Sequence, residues 1–388
     1  MKRAAKFLIV LFILVAVIAG AAAGFFMHSQ REAQARYAEM RARQSAVAQI
    51  LETSTVYTPW LLPAIEVPDS VPSAPATITF TFMGEEHSIQ AEASSRIYYG
   101  AKIADRNDLW DSLWRENQWG LMNDVDRAYH NALTFEPQME HAIESVLVQL
   151  REIRDTRDLS NDEYIELIVK YVQSIPYCEV HGTLDLDERP VGCPRTPIQV
   201  LVDGTGDCDE TSMLLAALLH REGFPVSLLL FAPEQHIALG LRVEGEGFEG
   251  TGYAYVETTS FSYISEVPES LGDEGEEVVL ESDPIVLPMG DEIEEPMPFY
   301  SAEALAQVAR IIDVRDRAEA AANRRFNFIS RTPMSRAEFN RQVALYEACF
   351  VPLNRFLDVI PCPNGEINTD FMDRAEAIRW IDRNAWWE

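Results

Sequence analysis

The sequence predicts an α+β fold in which a buried helix packs on an antiparallel sheet, with a membrane-spanning helix before it and a helical region after it. The stretch GDCDETSMLLAALL (206–219) combines helix-capping residues with seven apolar residues in a row. Three strand-like stretches follow, VSLLLF (226–231), HIALGLRVEG (236–245) and YAYVETT (253–259), and short turns separate them. Strands that follow one another without intervening helices favour antiparallel pairing and therefore the α+β class.

The N-terminal segment is long and apolar enough to cross a bilayer. Phe7–Met27 comprises 21 residues without a polar side chain, and Lys2, Arg3 and Lys6 precede it. A helix of about 20 such residues spans the hydrocarbon core. The alternative is a cleaved signal peptide, because small residues at 19–23 offer cleavage sites. The run is longer than a usual signal core, which favours an uncleaved anchor. Both alternatives predict an extracytoplasmic main domain, and the anchor makes the chain a single-pass membrane protein.

We divide the chain into four parts. Residues 1–28 form the anchor, and residues 29–75 form a helical stalk and a linker that contains five prolines between positions 59 and 75. Residues 76–290 form the main domain, and residues 291–388 form a C-terminal helical domain that offers a surface for a protein partner.

The main domain opens with a predicted hairpin over 77–92, which turns at Met83-Gly84-Glu85. Residues 105–176 are mainly helical, and Ser160 and Glu163 have the spacing of a capping box. A loop with Gly204 and Gly206 then leads into the helix that begins at Cys208.

Two segments follow the three strands. Residues 264–296 contain twelve acidic and no basic side chains, which predicts a solvated, mobile loop. The last hundred residues return to helical patterns over roughly 301–324, 335–360 and 369–385.

The composition argues against one class of partner. The formal net charge is −30 at pH 7, and only four lysines occur. Nucleic acids are bound through lysine and arginine, so no nucleic-acid partner is expected. The spacing of cysteine and histidine matches no metal-binding pattern, and we predict neither a metal nor a cofactor.

Cys208 occupies a position that can activate a thiol. Asp207 and Glu210 have the spacing of a capping box, which places Cys208 in the first helical turn. The helix dipole there favours the thiolate, whereas the carboxylates of Asp207 and Asp209 oppose it. A positive group must therefore lie nearby, and His236 is the candidate.

His236 begins one predicted strand and Glu257 ends the next, so both can meet Cys208 at one edge of the sheet. Cys208 would then be the nucleophile, His236 its base and Glu257 the acid that orients the imidazole. The spacing also fits a structural interpretation, in which Cys208 is a small core residue, His236 a strand residue and Glu257 a surface charge.

Several stretches resemble the transglutaminase-like superfamily, whose Cys-His-Asp core has papain-type architecture. These are GDCDETSMLLAALL, HIALGL and YAYVETT, and the stretches YVQSIPY (171–177) and TPIQVLVDGTGDCDETS (196–212) are similar to a membrane-anchored prokaryotic branch. The resemblance covers roughly residues 76–270. It implies Cys208 as nucleophile, His236 as base and Glu257 at the position of the usual aspartate. The sequence departs from the pattern at Thr196–Gln199 and at Ser265.

The sequence indicates the donors to the oxyanion less specifically than it indicates the three catalytic candidates. The Cys208 backbone N–H is one candidate. Gln173 or Tyr177 could supply a side-chain donor, although both also fit ordinary packing at a helix end.

These observations predict a membrane-anchored cysteine enzyme that acts on a protein or peptide through a thioester acyl-enzyme. With water as acceptor it is a protease or amidase, and with an amine it is a protein-crosslinking transglutaminase. The alternative from another class is a non-catalytic binding or scaffold module that retains the fold.

The remaining four cysteines are even in number. In an oxidising compartment we expect the disulfides Cys178–Cys193 and Cys349–Cys362, because the paired residues are close in sequence. Four reduced cysteines in a cytoplasm-facing domain are the alternative.

Overall fold

The computed structural model describes residues 75–104, 109–110, 113, 122–178, 183–184, 190–191, 194–268, 271, 278–356 and 372–383. For residues 103, 122, 183–184, 190–191 and 348–356 only the backbone is described. The predicted anchor, stalk and nearly all of the linker lie outside these residues. No helix within the described ranges has the length and apolar character needed to cross a bilayer.

The described part is α+β, as predicted. Its strands are β1 Thr77–Phe82, β2 Glu85–Gln90, β3 Thr183–Leu184, β4 Pro190–Val191, β5 Val226–Phe231, β6 His236–Arg242, β7 Tyr253–Val256 and β8 Ile285–Met289. Its helices are α1 Ser95–Ile103, α2 Met122–Thr134, α3 Glu140–Arg157, α4 Asn161–Gln173, α5 Pro197–Asp203, α6 Cys208–Arg221, α7 Ala302–Arg331, α8 Arg336–Phe356 and α9 Arg374–Arg383. Short 3-10 turns cover Pro137–Met139 and Phe248–Gly250.

Helix α6 lies at the centre of the core. Every side chain from Met213 to Leu219 is buried, which the unbroken apolar run requires. One side of α6 packs on strands β5 and β6, and other sides contact helices α2, α3, α4 and α5. The helix ends at Arg221, because Gly223 adopts a positive φ of 86° and the chain turns into β5.

The main sheet has four antiparallel strands in the order β7-β6-β5-β8. The predicted bounds of β5 are confirmed. Strand β6 ends at Arg242 rather than at 245, because Gly245 and Gly247 turn the chain at positive φ. Strand β7 ends at Val256, so Glu257 follows the ladder instead of belonging to it. This places Glu257 beyond the paired backbone, where its carboxylate can accept other hydrogen bonds.

The predicted mobile loop over 264–296 is wrong at residues 285–289. Ile285–Met289 forms β8, which pairs with β5 at the edge of the sheet and buries Leu287 and Met289. The acidic composition of the surrounding residues concealed this short apolar stretch. Pro288 is compatible with the assignment, because an edge strand leaves one side of its backbone unpaired.

The predicted hairpin and the predicted capping box of the first half are both confirmed. Strands β1 and β2 form the hairpin, which turns at Met83-Gly84. The Ser160 hydroxyl caps α4 by accepting from the Glu163 N–H, and the Glu163 carboxylate accepts from the Ser160 N–H. The cap begins a helix whose second half is almost entirely buried.

The C-terminal helices attach to the rest through apolar packing and through polar contacts. The Ser301 hydroxyl donates to Asp162, and Arg374 donates to Glu166 at 2.5 Å. Helix α7 runs to Arg331 rather than to 324, because no breaker occurs before Pro333. All described residues belong to one compact unit. The proposed division at 290/291 stays a prediction.

Candidate active site

Cys208 is the first residue of α6, as the capping pattern predicts. Asp207 Oδ1 accepts from the Glu210 N–H at 3.2 Å, and Glu210 Oε2 accepts from the Asp207 N–H at 3.2 Å. The preceding Gly206 pairs with the segment after α4, because the Cys178 N–H donates to its carbonyl at 3.0 Å. Cys208 itself is partly exposed. The cap and this pairing therefore hold a partly exposed cysteine at the start of a buried helix.

His236 and Glu257 lie at neighbouring strand ends and are in direct contact. His236 Nε2 is 3.2 Å from Glu257 Oε2, and both residues are buried. The Tyr255 hydroxyl donates to Glu257 Oε2 at 2.5 Å and lies 3.2 Å from His236 Nε2. Because Nε2 faces the acid, Nδ1 is the ring nitrogen on the other edge that can take a proton from a thiol.

Glu257 is held as a carboxylate despite its burial. Its Oε1 accepts from the Thr258 and Thr259 N–H groups and from the Thr259 hydroxyl, at 2.6–2.9 Å. Burial alone would raise the pKa of Glu257, but the hydrogen bond and charge of His236 oppose it. Together with the hydroxyls of Thr259 and Tyr255 they lower the pKa to about 2. The carboxylate is therefore ionised at neutral pH and can stabilise a protonated His236.

The Cys208 sulfur lies beside the strand that carries His236. The Ile237 N–H donates a hydrogen bond to it, which lowers the pKa of Cys208. Burial and the negative charges of Asp209, Asp207 and Glu257 raise that pKa, and they dominate. The direction is opposite to the one expected from the helix dipole, because burial and, after it, the nearby carboxylates outweigh the dipole. The thiol is thus protonated at neutral pH, and a base must take its proton before it can attack.

Three buried hydroxyls join the segments that carry Cys208, His236 and Glu257. The Ser212 hydroxyl donates to the Ile237 carbonyl at 3.2 Å, and the Thr211 hydroxyl donates to the Asp207 carbonyl at 2.6 Å. The Thr258 hydroxyl lies 2.9 Å from Thr211 Oγ1 and 3.1 Å from Ser212 Oγ. Since the other two hydroxyls donate to carbonyls, the single Thr258 hydrogen is shared between them. The cluster ties the three segments together one helical turn behind the thiol.

A buried ion pair fixes the start of α6. The Arg195 guanidinium donates to both carboxylate oxygens of Glu210, at 2.6–2.9 Å, and both side chains are buried. Arg195 also contacts Asp203 at 3.2 Å, and the Tyr98 hydroxyl donates to Asp203 at 2.5 Å. Arg195 was not predicted from the sequence. Its only local signal is a charge beside a helix start, and that is common on protein surfaces.

The two side-chain candidates for the oxyanion site differ in position. Gln173 is buried, and its amide nitrogen donates to the carbonyls of Glu257 and Ser262 at 2.9 and 3.0 Å. Both amide hydrogens are therefore engaged, and in this conformation Gln173 holds the loop after β7 instead of offering a donor to a substrate. Tyr177 is 44% exposed and lies alongside Gly206. It borders the loop that leads to Cys208.

The predicted disulfides remain predictions. Cys178 carries a free, partly exposed thiol in this structure. Its predicted partner Cys193 lies outside the described residues, as does Cys362, and the side chain of Cys349 is not described.

The chain was compared with models of protein families, with curated proteins and with solved structures, and none of them matches.

The state of Glu257 predicts how stability depends on pH. Its folded pKa lies below the ordinary value of 4.5, so its ionised form stabilises the fold above that pH. We expect a contribution of about 3 kcal/mol at pH 7, which is lost as the pH falls from about 5 toward 2. Urea unfolding of the wild type and of Glu257→Gln should therefore give a difference in unfolding free energy that shrinks between pH 5 and pH 3. A difference that stays constant with pH would contradict the assignment.

Proposed function

We propose that the chain is a transglutaminase-like cysteine enzyme that takes an acyl group from a protein or peptide amide. The observation that carries the proposal is the contact of 3.2 Å between His236 Nε2 and Glu257 Oε2 at neighbouring strand ends. The N–H of the residue after His236 donates to the Cys208 sulfur, so the nucleophile, base and acid converge on one sheet edge. A helix packed on an antiparallel sheet is also the architecture that the sequence resemblance implies.

The arrangement supports a two-stage reaction. His236 takes the proton from the Cys208 sulfur, which attacks the amide carbonyl carbon, and Glu257 stabilises the imidazolium. The Cys208 backbone N–H, at the free end of the helix, can donate to the developing oxyanion. The C–N bond then breaks, and the leaving amine takes the proton from His236. This leaves the acyl group on the sulfur as a thioester.

The second stage depends on the acceptor. Water attacks the thioester while His236 takes its proton, and the products are a carboxylic acid and the free thiol. A primary amine attacks in the same way and gives a new amide. Hydrolysis is the simpler reaction, so we propose a protease or amidase first and a crosslinking transglutaminase second.

One observation favours a different function. Burial and three carboxylates raise the pKa of Cys208, and such a thiol is inert unless a base activates it. A non-catalytic binding module that retains the fold would have this property. The proposed enzyme and the binding module therefore differ in whether His236 makes Cys208 reactive.

Turnover with two readouts tests the proposal. The full chain is incubated with unfolded casein, with and without a fluorescent primary amine. New α-amino groups, or ammonia released in the absence of the added amine, report hydrolysis, and incorporation of the amine reports transfer. The wild type should give one of these signals, and Cys208→Ala should give neither. Cys178→Ala is the matched control and should retain the signal, because Cys178 is also a free thiol. Equal signals from the wild type and Cys208→Ala would contradict the proposal.

We further propose that the chain is anchored in a membrane and that its main domain is extracytoplasmic, as predicted from the sequence. The residues on which that prediction depends lie outside the described part of the chain.

A further inference from the structure

The distal end of the helical hairpin formed by α7 and α8 exposes large apolar side chains. We define the hairpin tip as residues 320–346. The last buried residue of α7 is Ala322, and the nine helical residues after it are exposed or partly exposed. The exposed fractions of the large apolar side chains at the tip are 57% for Phe326, 45% for Phe328, 45% for Phe339 and 38% for Leu345.

The hairpin tip has the opposite charge to the rest of the protein. Its charged residues are five arginines and a single acidic residue, Glu338. The chain as a whole carries a net charge of −30. Arg324, Arg331 and Arg336 are exposed and lie close to the aromatic side chains in sequence. An acidic protein can approach an acidic surface only through such a positive region.

The hairpin base is anchored, and the tip extends away from it. Val308, Ile311 and Val314 of α7 pack in a cluster with residues of α9. Arg315 pairs with Glu266, which lies in the segment after Glu257. A 30-residue helix is about 45 Å long, so the segment after Ala322 extends over roughly 13 Å. The hairpin tip therefore projects beyond the packed base of the hairpin and does not cover the core.

The apolar residues surround this end instead of forming one stripe. Phe326 and Phe328 are two positions apart on α7, so their side chains point to different sides of the helix. A groove on a partner protein would need a stripe with a spacing of three or four residues. Aromatic side chains around the end of a hairpin, mixed with arginines, can meet a membrane end-on, where the rings lie at the level of the headgroups and the arginines contact phosphates.

We propose that the hairpin tip docks on an anionic membrane surface. The charge of the tip complements such a surface, and its aromatic side chains can be buried at the interface. The same chain contains the apolar run Phe7–Met27, so a bilayer is within its expected surroundings. The contact is separate from the catalytic site, and it does not depend on the proposed enzymatic activity.

Hydroxyl-radical footprinting of the full chain tests the proposal. Oxidation of Phe326, Phe328, Phe339 and Leu345 is measured by peptide mass spectrometry in buffer, with phosphatidylcholine vesicles, and with vesicles that also contain phosphatidylglycerol. We expect oxidation at least about threefold lower with the anionic vesicles only. Val148 and Val279, which are 53% and 50% exposed elsewhere, should be oxidised equally in all three samples.

Charge-reversal variants make the test specific. Arg324→Glu/Arg331→Glu should lose the protection, whereas the matched variant Arg379→Glu/Arg383→Glu, on exposed positions of α9, should retain it. Three results would overturn the proposal. They are equal protection by neutral and anionic vesicles, no protection by either, and protection in buffer that rises with protein concentration. The last would indicate contact between copies of the chain.

Discussion

Replacing His236 by alanine should lower turnover by about 10⁴-fold or more, because the Cys208 thiol then has no base to take its proton. The effect is expected to be this large because burial and carboxylates hold the thiol in its protonated form. Glu257→Gln should leave a measurable remainder, since the amide keeps the shape but cannot stabilise an imidazolium. Turnover is measured as amine release or amine incorporation, with thermal unfolding of each variant to confirm that it is folded.

The relative losses of turnover in His236→Ala and Glu257→Gln distinguish a catalytic role of the pair from a role in stabilising the fold. If His236→Ala retained full activity while remaining folded, His236 would not be the base. If Glu257→Gln and His236→Ala lost the same activity and the same stability, the pair would act on the fold alone. If the triad is correct, His236→Ala loses nearly all turnover while its thermal unfolding shows that it is still folded.

Replacing Arg195 by methionine should lower the free energy of unfolding by about 3–5 kcal/mol. The substitution leaves the Glu210 carboxylate buried without the guanidinium that donates to both of its oxygens. An uncompensated buried charge is costly, and Glu210 also accepts from the N-cap of α6. Urea unfolding at pH 7 measures the loss.

Two further variants make this result interpretable. Arg221→Met removes an exposed ion pair with Glu140, whose side chains are 49% and 57% exposed. This substitution should lower the free energy of unfolding by less than about 1 kcal/mol. The double variant Arg195→Met/Glu210→Leu removes both buried charges and should be more stable than Arg195→Met alone. A double variant less stable than the single one would show that buried charge is not the cause.

The fold was predictable where local pattern and tertiary environment agree. The capping box and apolar run of α6 and the β-branched and leucine-rich β5 are confirmed at the predicted positions. Strand β8 was missed because its neighbours are acidic, and its identity depends on pairing with β5, some sixty residues earlier in the chain. Long-range pairing of this kind leaves no local signal.

The candidate site was predictable only in part, for a related reason. Cys208, His236 and Glu257 occupy element ends, which a sequence pattern can locate. Ser212 and Thr258, which tie those ends together, are 46 residues apart and have no distinctive neighbours. The raised pKa of Cys208 required the structure as well, because it depends on burial and on the distance to each carboxylate.

Alkylation of Cys208 tests most directly whether His236 activates this thiol. Wild type and His236→Ala are treated with iodoacetamide between pH 5 and pH 9, and modification of Cys208 and Cys178 is quantified by peptide mass spectrometry. Both proteins are first reduced and desalted, and Cys178 then serves as the internal reference, because it is also partly exposed. We predict that Cys208 reacts faster than Cys178 at pH 7 in the wild type, and that His236→Ala abolishes this advantage. A Cys208 that reacts more slowly than Cys178 in both proteins would contradict the enzyme and favour the non-catalytic module.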